Sequence, residues 1–405
     1  MNIRSITGFL SLTDPISPSS LRALGDLVQV AREDFSRVGL PVQTARVATQ
    51  PLAAIAPRHL TQFARDLEGA SRAHGLDYAA LGTLSADSAR ATLDLIDAIP
   101  ATLATTESIF ASVQVASREH GINLRAIRAA ARAIRQIADL TADGFGNLRF
   151  AALANCPPHT PFFPAAYHEC NAPTFALAAE GASLAVDAFA CAHNLEEARA
   201  NLVGAIERAG QTMARVADDL AARFGFRFAG IDFSLAPFPD APRARSIGAA
   251  LEQLTGVAFG EHGTLFAAAF VTDCIQRAHF RRAGFSGLML PVLEDATLAA
   301  RSTSYTLDSL LLYSTVCGTG LDTVPLPGDT NADALSAILL DMATLAVKLD
   351  KPLTARLLPI PGLKAGDMTR FNFEYFANAR VLDVGASALK VFESDWQVEF
   401  KPHHA

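Results

Sequence analysis

The first 150 or so residues alternate strand-like and helix-like segments at spacings long enough for crossover connections, which directs the chain toward parallel βα units. Residues 2–9 read as a strand. Ser17 caps a helix with Pro18 at its first position, running to about Val38, with Leu21, Leu24, Leu27, Val28 and Ala31 on one face. Strand returns over 42–48, helix over 58–74, a short strand over 79–81, helix from Ser85 to a stop at Pro100, and strand over 108–116. Residues 123–140 form the clearest helix. Its apolar stripe is Leu124, Ile127, Ala131, Ile134 and Ile137, and Arg125, Arg128, Arg132 and Arg135 line a solvated face. Residues 148–154 make a buried strand.

Beyond that point the pattern predicts helices over 175–192 and 195–224, and a strand over 226–233. Helices follow over 246–254 and then on to Arg282, with a short apolar strand over 287–292. A long apolar helix spans 332–349 and a strand 354–360. In the tail, 381–384 and 389–392 are strand-like. With no repeat or flexible linker, the 405 residues read as a single α/β domain over 1–405, its segment from about 366 onward being the least defined by pattern.

Half of the residues are apolar and 19% are charged, enough to bury a large core. The net charge of -7 argues against a nucleic-acid partner, and no apolar run approaches the ~18 residues of a membrane span. Five cysteines without paired spacing fit free thiols and a cytoplasmic location.

Two stretches carry the chemistry. One runs from Asn155 to His168. Its four prolines keep it out of helix and central strand, and it holds Cys156, His159, Tyr167 and His168. The other runs from Tyr313 to Thr330 and reads as a stiff loop between two buried helices, bearing Cys317, Gly318, Thr319, Gly320, Asp322, Thr323 and Asp329. A thiol beside a glycine turn can be held as thiolate by backbone N–H groups, which could equally hold an anion. On that ground Cys317 is expected to alkylate faster than Cys191 or Cys274, both read as lying on buried helix faces. Asp322 sits in an apolar setting, where a carboxylate needs partners. Asp329 precedes a helix, so capping explains it as well as chemistry does. Glu261 and His262, between Gly260 and Gly263, open a further helix and are candidates for an acid–base couple. A divalent metal would draw on Asp322, Asp329, Glu261 and His262, although no recognised metal spacing occurs.

The runs Asn2-Ile-Arg-Ser-Ile-Thr7, Phe163-Pro-Ala-Ala-Tyr-His168 and Gly318-Thr-Gly-Leu-Asp-Thr-Val-Pro-Leu-Pro-Gly-Asp-Thr330 resemble the family catalogued as domain of unknown function seven-eleven. That resemblance implies a fold similar to pyruvate formate-lyase, a closed ten-stranded α/β barrel with a loop inside it. By the same resemblance Cys317 is the counterpart of the loop cysteine of glycyl radical enzymes. The glycine motif departs from theirs: Arg380-Val-Leu-Asp-Val-Gly385 has two extra residues and no following tyrosine, so the chain is not expected to be a functional glycyl radical enzyme.

The functional expectation is an enzyme acting on a small polar, acidic metabolite. Cys317, Asp322, Glu261 and His262 would be catalytic, and Gly318, Thr319, Gly320, Thr323, His159, Tyr167 and His168 would bind the ligand. The alternative is a non-catalytic metabolite or metal sensor using the same cavity, and a third reading is a purely structural barrel. A small molecule is the expected partner, with neither nucleic acid nor membrane, and a homo-oligomer is left open.

Overall fold

The computed structural model describes all residues except 18, 89–92, 241–242, 386, 395 and 402–405. It is a mixed α/β structure built on one large sheet of eleven strands. The strands are β1 (Asn2–Leu10), β2 (Val42–Thr49), β3 (Tyr78–Ser85), β4 (Ile109–Ser117), β5 (Gly121–Asn123), β6 (Phe150–Ala154), β7 (Thr174–Glu180), β8 (Arg227–Asp232), β9 (Gly320–Pro327), β10 (Leu353–Ile360) and β11 (Gln397–Val398). Along the main path the order is β8-β7-β1-β2-β3-β4-β6-β10-β9, with β5 and β11 attached beside β4.

The expected βα units are present. Strands β1, β2, β3, β4 and β6 run parallel to one another. Two further parallel pairs, β7 with β8 and β9 with β10, flank that block and run against it.

Period-2 alternation sorts the strand residues onto two faces. On β2, Ala45 and Val47 pack outward among the helices, while Thr44, Arg46 and Ala48 share the opposite face. On the outer side the helix Leu124–Leu140 buries Leu124, Ile127, Ala131, Ile134 and Ile137 completely or nearly so, the expected stripe. The inner face is covered too: Phe9, Ala48, Ala80, Phe110 and Ala176 pack against Phe163 and Ala166. A mostly parallel sheet is stable when both faces are covered, and here the inner cover is chain 155–173, between β6 and β7.

The ladder of regular strands does not close, because β8 and β9 are its edges. The chain from Arg281 to Val292 runs between them without forming a strand. It bonds to β8 through Ile231 N–H to the Arg281 carbonyl (2.8 Å) and Ala283 N–H to the Ile231 carbonyl (3.0 Å). Toward β9, the Val292 N–H donates to the Asp322 carbonyl (3.0 Å), and the Gly318 N–H donates to the Leu288 carbonyl (2.7 Å). Gly318 and Gly287 permit this approach, since a Cβ on Gly318 would lie 2.4 Å from the Gly287 Cα.

Asp232, at the end of β8, ties this chain down. Its carboxylate accepts from the N–H groups of Phe285 (2.7 Å) and Ser286 (2.9 Å) and from the Ser234 hydroxyl. Burial lifts its pKa from 3.8 to about 6, against the pull of those hydrogen bonds. A carboxyl whose folded pKa lies above its unfolded value stabilises the native state below the unfolded pKa. That contribution is lost as pH rises through the folded pKa. The melting temperature, taken relative to an Asp232→Asn variant, is therefore expected to fall as pH is raised from 3.8 to about 6. Thermal melts across that range check the sign, and a difference that rises with pH contradicts it.

Several expected elements are corrected. Residues 175–180 form β7, not the start of a helix, because an alanine-rich run buried on both faces carries no periodicity to tell the two apart. The glycine- and proline-rich loop at 313–330 is largely strand β9. It is an edge strand, where Pro325 and Pro327 sacrifice no ladder bond. Residues 287–292 hold one isolated bridge, Pro291 with Asp322, rather than a strand. Pro100 lies inside the helix Asp94–Ala104 rather than ending it. The first helix is Arg22–Arg37, and Pro18 lies outside the described residues, as do 89–92 of the helix expected from Ser85. In the tail, 381–384 is not a strand, and Lys390–Glu393 is a single 3-10 turn. Among the described residues no helix is long and apolar enough to cross a membrane.

Candidate functional site

A cavity of about 150 Å³ lies against the inner face of the sheet. Six of the strands send polar or aromatic side chains into it: Arg4 from β1, Arg46 from β2, Tyr78 from β3, Phe110 from β4, Asp322 from β9, and Thr354 and Arg356 from β10. Glu294 enters from the turn after residue 292. Phe162, Phe163, Pro164 and Ala165 from the 155–173 segment form one wall, and Phe373 and Tyr375 cover another.

The charged groups form a chain of ion pairs. Arg4 Nη2 lies 2.8 Å from Glu294 Oε2, Arg356 Nη2 lies 2.7 Å from Glu294 Oε1, and Arg356 Nε lies 2.6 Å from Asp322 Oδ1. All four side chains are buried. Arg4 also stacks under Tyr375, its guanidinium carbon 4.3 Å from the ring centroid. Burial pushes Asp322 above the usual carboxylate range and Glu294 adds to this, while Arg356 pulls it back. Arg356, between two carboxylates, is held firmly protonated despite its burial.

Arg46 stands apart. It is 8% exposed, and its Nε donates to Thr44 Oγ1 at 3.0 Å. Among the described residues, its two terminal nitrogens have no hydrogen-bond acceptor. Its guanidinium faces the rings of Phe163 (5.1 Å) and Tyr78 (5.7 Å). Burial and the neighbouring Arg4 lower its pKa to about 10, so it remains a cation at neutral pH. Arg149 and Glu107 also line the cavity, so four guanidinium groups face three carboxylates and one positive charge is left uncompensated. The hydroxyl of Thr319, in the lining of the same cavity, is also buried without a partner among the described residues.

Of the residues singled out in the sequence, Asp322 and Thr319 line this cavity. Thr323 is buried behind it, its hydroxyl accepting from the Leu293 N–H (3.3 Å). Cys317 is 1% exposed and opens instead toward a separate surface cleft with Lys351 and Asp273. Its Sγ accepts from the Gly320 N–H at 3.3 Å, the turn geometry expected around the thiol. With the Gly318 N–H on Leu288, both glycine donors are spent inside the protein and are not offered to an anion. Lys351 donates to the carbonyls of Ser314, Thr315 and Cys317, stitching the strand entry together.

Glu261 and His262 are exposed ahead of the helix Thr264–Arg277 and do not reach the cavity, and Asp329 is exposed in the turn after β9. The expected convergence of Glu261, His262, Asp322 and Asp329 therefore does not occur, because three of the four face solvent. The cap of the following helix is Asn331, whose side chain accepts from the Ala334 N–H (2.9 Å).

His159 and His168 instead meet each other, His159 Nε2 lying 3.3 Å from His168 Nδ1 with Cys170 Sγ alongside. Tyr167 donates from its hydroxyl to the Cys156 carbonyl (3.0 Å) and braces the same segment. The residues the sequence did not single out are Arg4, Arg46, Arg356, Glu294, Tyr78 and Tyr375. A signal for the arginines was present: Arg46 stands between Ala45 and Val47, and Arg356 between Ala355 and Leu357, each flanked by apolar residues.

All five cysteines are free, and Cys170 and Cys191 are exposed, correcting the expectation that Cys191 lies on a buried helix face. Burial raises the Cys156 thiol and lifts Cys274 to about 11. Iodoacetamide is expected to label Cys170 and Cys191 in the native, chelator-treated protein, and Cys156, Cys274 and Cys317 only after unfolding. Peptide mapping by mass spectrometry reads the order, and early labelling of Cys317 would reverse it.

Fold and cavity together define a mixed α/β protein whose sheet walls enclose a buried, net-positive ionic site. Residues 1–374 match the family described as Uncharacterised ACR (DUF711), and the chain belongs to that family. It is 33% identical over 405 residues to a UPF0210 protein of Pelotomaculum thermopropionicum, covering 92% of this chain and 88% of that one. A UPF0210 protein of Pyrobaculum islandicum is also 33% identical, over 95% of this chain and 90% of its own length. One from Methanosarcina acetivorans is 30% identical over 97% and 90% respectively.

Proposed function

We propose that this protein binds a small anionic metabolite, a carboxylate or a phosphate ester, inside the cavity, with Arg46 as the anchor. The observation that carries the reading is that, among the described residues, the two terminal nitrogens of Arg46 have no hydrogen-bond acceptor. A buried charge without a partner costs stability, and a bound anion is the group that would repay it. The planar fork of arginine suits a carboxylate or phosphate oxygen pair. The free hydroxyl of Thr319 would accept or donate to the polar part of the same ligand, and Phe163, Phe373 and Tyr375 would pack against its carbon skeleton.

The cavity's enclosure fits a barrel similar to pyruvate formate-lyase. In this reading residues 281–292 serve as the irregular tenth strand between β8 and β9, and 155–173 is the segment inside. Cys317, Glu261 and His262 have no part in it. A catalytic version rests on Asp322: a buried carboxyl with a raised pKa beside the anion is suited to proton transfer on the bound metabolite. The test is a thermal-shift panel of small carboxylates and phosphates on the native protein and on Arg46→Gln. A shift confined to the native protein supports the reading, and equal shifts in both contradict it.

A further inference from the structure

We propose that His159, His168 and Cys170 bind a borderline-soft divalent cation of the zinc class, and that the ion clamps the two feet of the segment lining the cavity. This site is separate from the anion site and does not depend on it.

The three ligand atoms lie within 4.8 Å of one another. His159 Nε2 is 3.3 Å from His168 Nδ1, and Cys170 Sγ is 3.8 Å from His159 Nε2. Tetrahedral zinc with its usual bond lengths holds two nitrogens about 3.3 Å apart and a nitrogen and a sulfur about 3.6 Å apart. The third pair, Cys170 Sγ and His168, comes closest at Nε2 (4.0 Å) rather than Nδ1, so a turn of the His168 ring or of the Cys170 side chain is needed to complete the coordinating geometry. Two imidazoles and a thiol select a zinc-like ion, since calcium or magnesium would need oxygen ligands that this set lacks.

The surroundings favour loading. The two imidazoles are buried, and the neutral imidazole is the form that ligates. Cys170 is exposed, so an ion has a path in, and the fourth position faces solvent for a water. Binding converts the thiol to thiolate and releases one proton to solvent. Arg227, 3.5 Å from His159 Nδ1, is the cationic neighbour; it is exposed and long enough to turn outward when the ion enters.

The placement suggests what the ion does. His159 lies before the cavity-lining residues Phe162 to Ala165, and His168 and Cys170 lie after them. The feet are already joined by the His159 N–H to the Tyr167 carbonyl (2.9 Å), and the second is fixed to β2 by the His168 N–H to the Thr49 carbonyl (2.8 Å). A shared ion would add a closure across the same residues and hold the wall of the cavity in place.

The experiment titrates chelator-stripped, full-length protein with cobalt(II) as a spectroscopic probe. One equivalent should bind, with a thiolate-to-cobalt charge-transfer band that zinc(II) then displaces. Cys170→Ser, a change at an exposed residue that the fold tolerates, should abolish the band, while Cys191→Ser should keep it. His159→Gln should weaken cobalt binding about 10-fold or more. Absence of the band in native protein overturns the proposal, as does a band that survives Cys170→Ser.

Discussion

Arg356→Met will destabilise the folded protein by about 3–5 kcal/mol, the cost of breaking a buried ion pair from one side. Arg356 is the central link of the ionic chain, bonded to both Asp322 and Glu294. Without it the two carboxylates face each other in a buried space with Arg4 still paired to Glu294 and no arginine bonded to Asp322. Burial and Glu294 already push Asp322 upward, so its protonation is the relief open to the variant. Chemical denaturation at neutral and at mildly acidic pH checks this: the loss should be largest near neutrality and shrink as the carboxyls take up protons. A loss under about 1 kcal/mol would mean that the pairs behave like hydrated surface bridges and do not organise the cavity.

Arg46→Met should act with the opposite sign. Its removal leaves no carboxylate behind, only the Thr44 hydroxyl, and takes an uncompensated cation out of a buried site. The ligand-free variant is expected to match the native protein or exceed it by about 1–4 kcal/mol, as when buried charges give way to apolar groups. It should also lose the stabilisation that a bound anion gives by mass action. Two arginines of equal burial thus differ in the sign of their effect because, among the described residues, one is ion-paired and the other is not. A loss for Arg46→Met as large as that for Arg356→Met would show that a partner within the fold neutralises Arg46.

The βα alternation of the first half was legible because helices with a clear apolar stripe, such as Leu24, Leu27, Val28 and Ala31, separate the short strand segments. β7 was not: Phe175-Ala-Leu-Ala-Ala179 is apolar on both faces, so neither period stands out. β9 was hidden by Gly320, Pro325 and Pro327, residues that mark loops in general and are tolerated here because the strand is an edge. Within the site, Asp322 was legible as a carboxylate stranded among apolar neighbours, and the same reasoning applied to Arg46 and Arg356 would have found them. Glu261 and His262 misled because flanking glycines look alike whether they shape a cleft or a surface turn; here Gly260, at φ +101°, lets the backbone pass the Ser304 carbonyl. The pairing of His159 with His168 and Cys170 came from a cross-segment backbone bond that no spacing rule anticipates.

The central claim is that the cavity holds an anion on Arg46, and equilibrium binding tests it most directly. Calorimetric titration of small carboxylates and inorganic phosphate into native protein and into Arg46→Gln compares the two affinities at one salt concentration. The account predicts saturable binding of at least one of these anions at one site per chain, weakened about 10-fold or more in the variant, in line with the loss of a charge-assisted hydrogen bond. Equal affinity in both proteins, or no saturable binding by either class of anion to the native chain, would contradict it.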